Sequence, residues 1–205
     1  MLHSNPRKNA HGFSLIEMMI VVAIVLILAA FSVPTLLKTV SDISLRYSAT
    51  DLSGLLQSAR IQAVRKNTFY SVVQATLPSG TNAYILDLNK TGIYANSEPN
   101  MPINPGLTIH QGTGSGAPNE AAFLAGLNFT VDPTGAAPSF NARGLPCMAN
   151  LAANTCPMVP SQGFVVFMSK PVIMGNSPWA AVVINPSGHM QVWNADANGN
   201  WVQRD

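Results

Sequence analysis

Charge is what this chain has least of. Charged side chains make up 10% of its 205 residues, against 47% hydrophobic ones, and the formal net charge is +2. Beyond Asn67 the basic residues are Lys90, Arg143, Lys170 and Arg204. Against them stand Asp87, Glu98, Glu120, Asp132, Asp196 and Asp205, a balance of −2. Such a surface is a poor start for binding phosphate backbones, so nucleic acid is not expected as a partner. Metal-ligating residues are equally thin. The two cysteines, Cys147 and Cys156, lack the Cys-x-x-Cys spacing and have no histidine nearby, and His3, His11, His110 and His189 are scattered. No metal site is expected from them. No Ser/His/Asp or Cys/His set sits in a recognisable frame, and Ser187-Gly188-His189 reads as a turn, so enzymatic activity is not expected. The glycines of Gly112-Thr113-Gly114-Ser115-Gly116 miss the spacing of a nucleotide fingerprint, and no clear strand–helix frame surrounds them. They read as a flexible surface loop, and no cofactor is expected. No internal repeat is found.

Long hydrophobic runs, by contrast, are not lacking. Residues Gly12 to Glu17 read Gly-Phe-Ser-Leu-Ile-Glu, and an almost unbroken apolar stretch follows from Met18 to Val33. Between Phe13 and Val33 the only polar side chains are Ser14, Glu17 and Ser32. As a helix these residues would span about 32 Å, close to a bilayer hydrocarbon core of about 30 Å. A secretory signal places its cleavage site beyond a shorter apolar core. Here the small residue, Gly12, comes first, and cleavage after it would leave the hydrophobic helix on the mature protein. The alternative is an uncleaved signal anchor. Arg7 and Lys8 precede the run, which puts the N-terminus in the cytoplasm and the residues beyond Pro34 outside it. Removing a leader with these two charges takes the eleven basic side chains to nine, equal to the nine acidic ones.

Glu17 is costly at the edge of a membrane span and calls for a partner or a role. Ser14 and Glu17 have the spacing of a capping box, which would satisfy amides at a helix start. Alternatively, cleavage after Gly12 creates a cationic amine on Phe13, which Glu17 can neutralise on its own or a neighbouring subunit. Both can hold, since an acidic group also suits a helix N-terminus.

The helical pattern continues past the apolar run. Pro34 predicts a kink. Val40, Ile43, Tyr47, Leu52, Leu55, Leu56, Ala59 and Ala63 then recur near three- and four-residue spacing, a stripe expected to pack on a globular domain. Gly54 lowers helix propensity without ending the helix, and Lys66-Asn67 is a plausible stop. Strand patterns follow at 69–73 and 84–88, joined through the turn Leu77-Pro78-Ser79-Gly80, and at 107–109, 127–131, 163–168 and 179–184. The turn Asn185-Pro186-Ser187-Gly188 leads to a last strand at 189–193, an antiparallel hairpin. Nine of the fifteen prolines lie between Pro99 and Pro160, so loops and short strands are expected there. If this part lies in an oxidising compartment, a Cys147–Cys156 disulfide closing a small loop is the natural reading, with two free thiols as the alternative.

The N-terminal segment resembles the class III signal of type IV pilins and of the pseudopilins of type II secretion. Four later segments resemble the GspH/FimT family in order: Ala59–Asn67, Phe129–Gly135 with its Phe-x-x-x-Pro-x-Gly pattern, Ala142–Cys147 and Val182–Gly188. The resemblance covers most of the chain from Gly12 to Trp193. It implies an α+β, type IV pilin-like fold, with a long N-terminal helix packed on a small antiparallel sheet domain. The expected division is a cleaved leader at 1–12, a helix at 13–66 that is transmembrane at 13–33, and a periplasmic β-rich domain at 67–205.

The same resemblance implies cleavage between Gly12 and Phe13, N-methylation of Phe13 and an assembly role for Glu17. The implied partners are a prepilin peptidase, other major and minor pilins and an inner-membrane assembly platform. The implied location is a single pass of the bacterial inner membrane, then the pilus or pseudopilus. The expected function is that of a minor pilin that initiates or caps a type IV pilus. The alternatives are the H-type minor pseudopilin of a type II secretion system and a DNA-binding competence pilin. Some FimT-like proteins bind DNA through a closing Gly-Arg-x-Arg. Here that stretch is Gly188-His189-Met190-Gln191, with neither arginine.

Overall fold

The computed structural model describes residues 14–159, 161–172 and 176–204, including every side chain but that of Pro34. The fold is α+β: a long N-terminal helix is followed by antiparallel sheet. The chain divides into two compact units, residues 1–39 and 40–205. Helix α1 (Leu15–Lys66) belongs to both, and its backbone stays helical through position 34, where the sequence predicts a kink.

In the first unit every described side chain from Ser14 to Thr39 is exposed. α1 is long and apolar enough here, by length and composition, to cross a membrane. A helix that is apolar all round has no face that prefers water.

In the second unit α1 is one layer of a packed core. Leu45, Ser48, Ala49, Leu52, Leu55, Leu56, Ala59 and Ala63 are buried. This corrects the expected stripe. Val40, Ile43 and Tyr47 are 61%, 46% and 67% exposed, and Leu45 and Ala49 take their place. The reason is that this part of α1 carries two apolar stripes. The sheets cover the one in which Ala49, Ala59 and Ala63 allow close approach, and Val40, Ile43, Tyr47 and Ile61 are left on the exposed side. α1 ends where Asn67 turns left-handed at φ 49°. The N–H of Thr68 then bonds the Ala63 carbonyl at 3.1 Å, and that of Asn67 bonds Val64 at 3.2 Å, a Schellman arrangement with asparagine in the glycine position.

Strands β1 (Tyr70–Thr76), β2 (Asn82–Asp87), β3 (Asn100–Pro102), β6 (Ser139–Phe140) and β7 (Pro146–Cys147) form one antiparallel sheet in the order β3-β2-β1-β6-β7. Strands β4 (Thr108–Gln111), β8 (Gln162–Ser169), β9 (Trp179–Ile184), β10 (Met190–Ala195) and β11 (Trp201–Arg204) form a second, in the order β11-β10-β9-β8-β4. β5 (Thr130–Val131) joins β8 in parallel. The strand expected at 127–131 is thus shortened to its last two residues. Strands β3, β6, β7 and β11 and the short helix α2 (Glu120–Ala125) carry too few residues for a periodic signal.

β8 and β9 are apolar along nearly their whole length because both faces are covered. Phe164, Val166, Met168, Ala180, Val182 and Ile184 face the core shared with α1. Val165, Phe167, Ala181 and Val183 face a second cluster built around Phe123 of α2. Tyr84 ties the sheets together. Its buried hydroxyl oxygen accepts from Gln74 Nε2 at 2.9 Å and, across from β4, from Gln111 Nε2 at 3.0 Å. Burial pushes the phenol above its ordinary value, although both hydrogen bonds oppose the shift.

Candidate functional site

Gly12 and Phe13, the expected cleavage pair, lie outside the described residues. The first described contact is at Ser14, whose carbonyl accepts the N–H groups of Glu17 at 3.1 Å and Met18 at 3.2 Å. The Glu17 amide is therefore met by the Ser14 carbonyl, whereas a capping box would use the serine hydroxyl. Glu17 stands in the first turn of α1 and is exposed, as are the apolar residues behind it.

The four segments singled out later in the sequence prove to be structural joints, and two of them meet α1 at one residue. Arg60 lies on α1, and its Nε donates to the Gly144 carbonyl at 3.0 Å. Its Nη2 reaches the Ser187 carbonyl at 3.5 Å, the long limit of a hydrogen bond. Arg60 thus bridges the 141–145 turn and the β9–β10 turn. A Cβ on Gly188 would sit 2.5 Å from the Gly144 carbonyl oxygen, and φ there is +78°. Only glycine fits both demands. Asn185 closes its turn by accepting from the N–H of Ser187 at 3.1 Å and of His189 at 2.9 Å.

The Phe129–Gly135 segment forms a second joint. Asp132 is buried, and its carboxylate accepts from Thr134 N at 3.1 Å and Ala136 N at 2.9 Å. The turn brings Gly135 against Gln111, where a Cβ would meet the carbonyl oxygen at 2.9 Å.

Cys147 and Cys156 are joined by a disulfide with Cα atoms 5.3 Å apart. Cys147 is buried in β7, and Cys156 closes a loop whose Asn150 and Thr155 exchange backbone hydrogen bonds of 2.8 and 3.1 Å. Lys90 anchors the loop further. Its ammonium donates to Asn154 Oδ1 at 3.0 Å and Thr68 Oγ1 at 2.8 Å, 4.0 Å from the centre of the Phe69 ring.

The glycine-rich loop read as flexible is held by an anion of the chain's own. Glu120 Oε1 accepts the Gly114 N–H at 2.6 Å, and Oε2 accepts Ser115 Oγ at 2.8 Å and the Gly116 N–H at 3.1 Å. Partial burial raises the carboxyl pKa, but the Ser115 hydroxyl and the loop amides outweigh it, so the net shift is downward. The signal for this contact was present in sequence: glycine amides four to six residues from an acidic side chain. Among the described residues no group of three or more His, Cys, Asp and Glu side chains stands ready for a metal ion.

These arrangements hold a fold together, and none aligns a nucleophile with a base. What distinguishes the chain is its N-terminus. Residues 7–33 match the family model of the prokaryotic N-terminal methylation motif. The match supports a type IV pilin or pseudopilin. It spans the glycine–phenylalanine junction, Glu17 and the exposed apolar part of α1 up to Val33. With the apolar N-terminal helix it fits a membrane-anchored pilin, and it points to a structural protein rather than an enzyme. The motif also implies processing by a peptidase and assembly with other pilins. No curated protein and no solved structure matches the chain alongside it.

Proposed function

We propose that the chain is a minor pilin of the GspH/FimT type, cleaved after Gly12, methylated on Phe13 and incorporated into a type IV pilus to initiate or cap it. One observation carries this reading. An apolar helix exposed all round from Leu15 to Val33 lies within a methylation motif. Such a segment needs lipid first and neighbouring helices afterwards. On this reading residues 1–12 are leader, 13–66 the helix, with 13–33 in the inner membrane, and 67–205 a periplasmic display domain. The exposed line of Val40, Ile43, Tyr47 and Ile61 supports it, because these side chains suit contact with other subunits. The Arg60 joint supports the GspH/FimT assignment, since it ties together segments whose order suggested that family. The hairpin at Gly188-His189-Met190-Gln191 offers no arginine for a DNA contact.

Mass spectrometry of the membrane-extracted protein tests the processing. A mature chain beginning with methylated Phe13 is expected, and Gly12→Val should keep the leader attached. A chain beginning at Met1 or beyond Val33 would refute the reading. Glu17→Ala and Glu17→Val should leave insertion intact, since they make the helix more apolar, and weaken incorporation into pili. Normal incorporation would mean that Glu17 serves only the helix start. Deleting the gene should reduce piliation while the major pilin is still made. Intact pili with blocked export of a secreted enzyme would assign the chain to a type II secretion system instead.

A further inference from the structure

The face of the second sheet turned away from α1 holds all three tryptophans of the chain. Their register explains how. Trp193 pairs with Ala181 and Gln203, Ala195 pairs with Trp201, and Ser169 pairs with Trp179. With a side-chain period of two, Trp179, Trp193 and Trp201 all point to one side. All three are half-buried around Phe123 of α2 and Phe167 of β8. Trp201 stacks on Phe123 with ring centres 4.5 Å apart, and Trp193 meets the same ring edge-on at 5.4 Å.

Between α2 and the β10–β11 turn this cluster opens into a cleft of about 350 Å³, at the small end of the range for ligand pockets. Its aromatic walls are Phe123, Trp193 and Trp201, and its polar rim is Asn119 and Asn200. The rim is held in place from within the protein. Asn119 Nδ2 donates to the Gly199 carbonyl at 3.0 Å, Asn200 Nδ2 donates to Asp196 Oδ2 at 3.1 Å, and the Trp201 indole N–H donates to the Pro118 carbonyl at 2.8 Å. These bonds use one N–H of each amide. Among the described residues no donor reaches Asn119 Oδ1 or Asn200 Oδ1, so both amides present an acceptor. No side chain lining the cleft carries a formal charge.

The geometry points to a binding site for a neutral hexopyranose, free or at the end of a glycan. A pyranose ring offers a flat C–H face and a rim of hydroxyls. The C–H face suits the electron-rich face of an indole or phenyl ring, and the hydroxyls are donors for amide oxygens. An anionic sugar or a nucleotide would find no cation in the lining to pair with. The site belongs to the second unit alone and does not depend on how the N-terminus is processed.

Tryptophan fluorescence reads this cleft directly, because every tryptophan of the chain lies on its side of the sheet. The full mature chain would be held in a polyoxyethylene detergent, which carries neither sugar nor choline. It would be titrated with glucose, galactose, N-acetylglucosamine and choline. Saturable fluorescence changes with at least one sugar, in the millimolar range, are expected. Ala122 lines the cleft from the exposed surface of α2, so Ala122→Phe should fill the site without disturbing the core. It is expected to weaken the sugar response by roughly tenfold or more at an unchanged unfolding temperature. Three results would overturn the assignment: no saturable response to any of the sugars, tighter binding of choline than of any sugar, or a sugar response that survives Ala122→Phe.

Discussion

Leu15–Val33 and Val40–Lys66 belong to the same helix and are both rich in apolar residues, yet they treat those residues in opposite ways. In the first, every described leucine, isoleucine and valine is exposed. In the second, Leu45, Leu52, Leu55 and Leu56 are buried against two sheets, and polar hooks reinforce the contact: Asn104 Nδ2 donates to Ser48 Oγ at 2.9 Å, and Lys170 Nζ to Ser44 Oγ at 3.0 Å. The difference lies in amount as well as pattern: 17 of the 19 residues from Leu15 to Val33 are apolar, against 12 of the 27 from Val40 to Lys66, where they concentrate on one side. An apolar residue on a one-sided helix stabilises this chain. On a helix apolar all round it can only be satisfied by something outside the chain, lipid or another subunit.

Matched truncations test that contrast with the largest expected effect. Leu56→Ala empties a fully buried site between α1 and the sheets and should destabilise the domain by about 2–5 kcal/mol. Ile24→Ala removes a comparable apolar group from the exposed segment and should leave unfolding of the domain unchanged. Thermal and denaturant unfolding of the full chain in detergent measures both. Equal losses would mean that the apolar segment is part of the domain's own core.

How much of this was legible in the sequence follows from the same contrast. The Leu15–Val33 segment announces itself by composition alone, because a run of this length needs no partner within the chain to be recognised. β8, β9 and β10 were legible because strands covered on both faces read as apolar runs, and because Asn185-Pro186-Ser187-Gly188 carries the chemistry of its turn. The packing face of α1 was misread at Val40, Ile43 and Tyr47. Val40, Ile43 and Tyr47 share the three- and four-residue spacing of the buried residues, and at this end of the stripe periodicity cannot say which side the sheets will cover. β6 and β7 are two-residue strands, and β6 is placed by pairing with β1, remote in sequence; β11 has only four residues, two of them polar, too few for a periodic signal. The tryptophan cleft was hidden for a related reason. Residues 179, 193 and 201 converge only through the register of three strands.

A smaller effect sharpens the boundary between core and loop within the domain. The Cys147–Cys156 disulfide closes a loop of sequence separation 9. In the chain-entropy model that is worth on the order of 2–3 kcal/mol. Reduction, or the Cys147→Ser/Cys156→Ser double variant, should lower stability by about this much and free the 148–155 loop, while β8 and β9 keep their amide protection. The double variant is needed because Cys147→Ser alone would leave Cys156 as an unpaired, half-buried thiol in the loop, open to oxidation and mixed disulfides. Hydrogen exchange separates the two regions. Loss of protection along β8 would show that the bond supports the whole domain. Labelling of both thiols in unreduced, unfolded protein from its native compartment would show that it does not form there.

The smallest effect concerns the Glu120 clasp on the glycine-rich loop. Its carboxyl is pulled below the ordinary value of 4.5, because burial, which acts the other way, is outweighed by the Ser115 hydroxyl and the loop amides. A depressed carboxyl contributes stability that is fully present above its unfolded pKa and is lost as pH falls through the folded one. The clasp should therefore be intact at neutral pH and open below pH 4.5, starting with the N–H groups of Gly114 and Gly116. Because the group is only partly buried, solvent screening keeps the energetic share small. Glu120→Gln retains an acceptor but loses the charge. Near neutral pH its Gly114 and Gly116 amides should exchange faster than in the wild type, and the gap should close as pH falls below 4.5. Amide exchange followed by NMR across that range reads the difference residue by residue. A gap that persists to low pH would mean that the loop is held by its own turn geometry and not by the carboxylate.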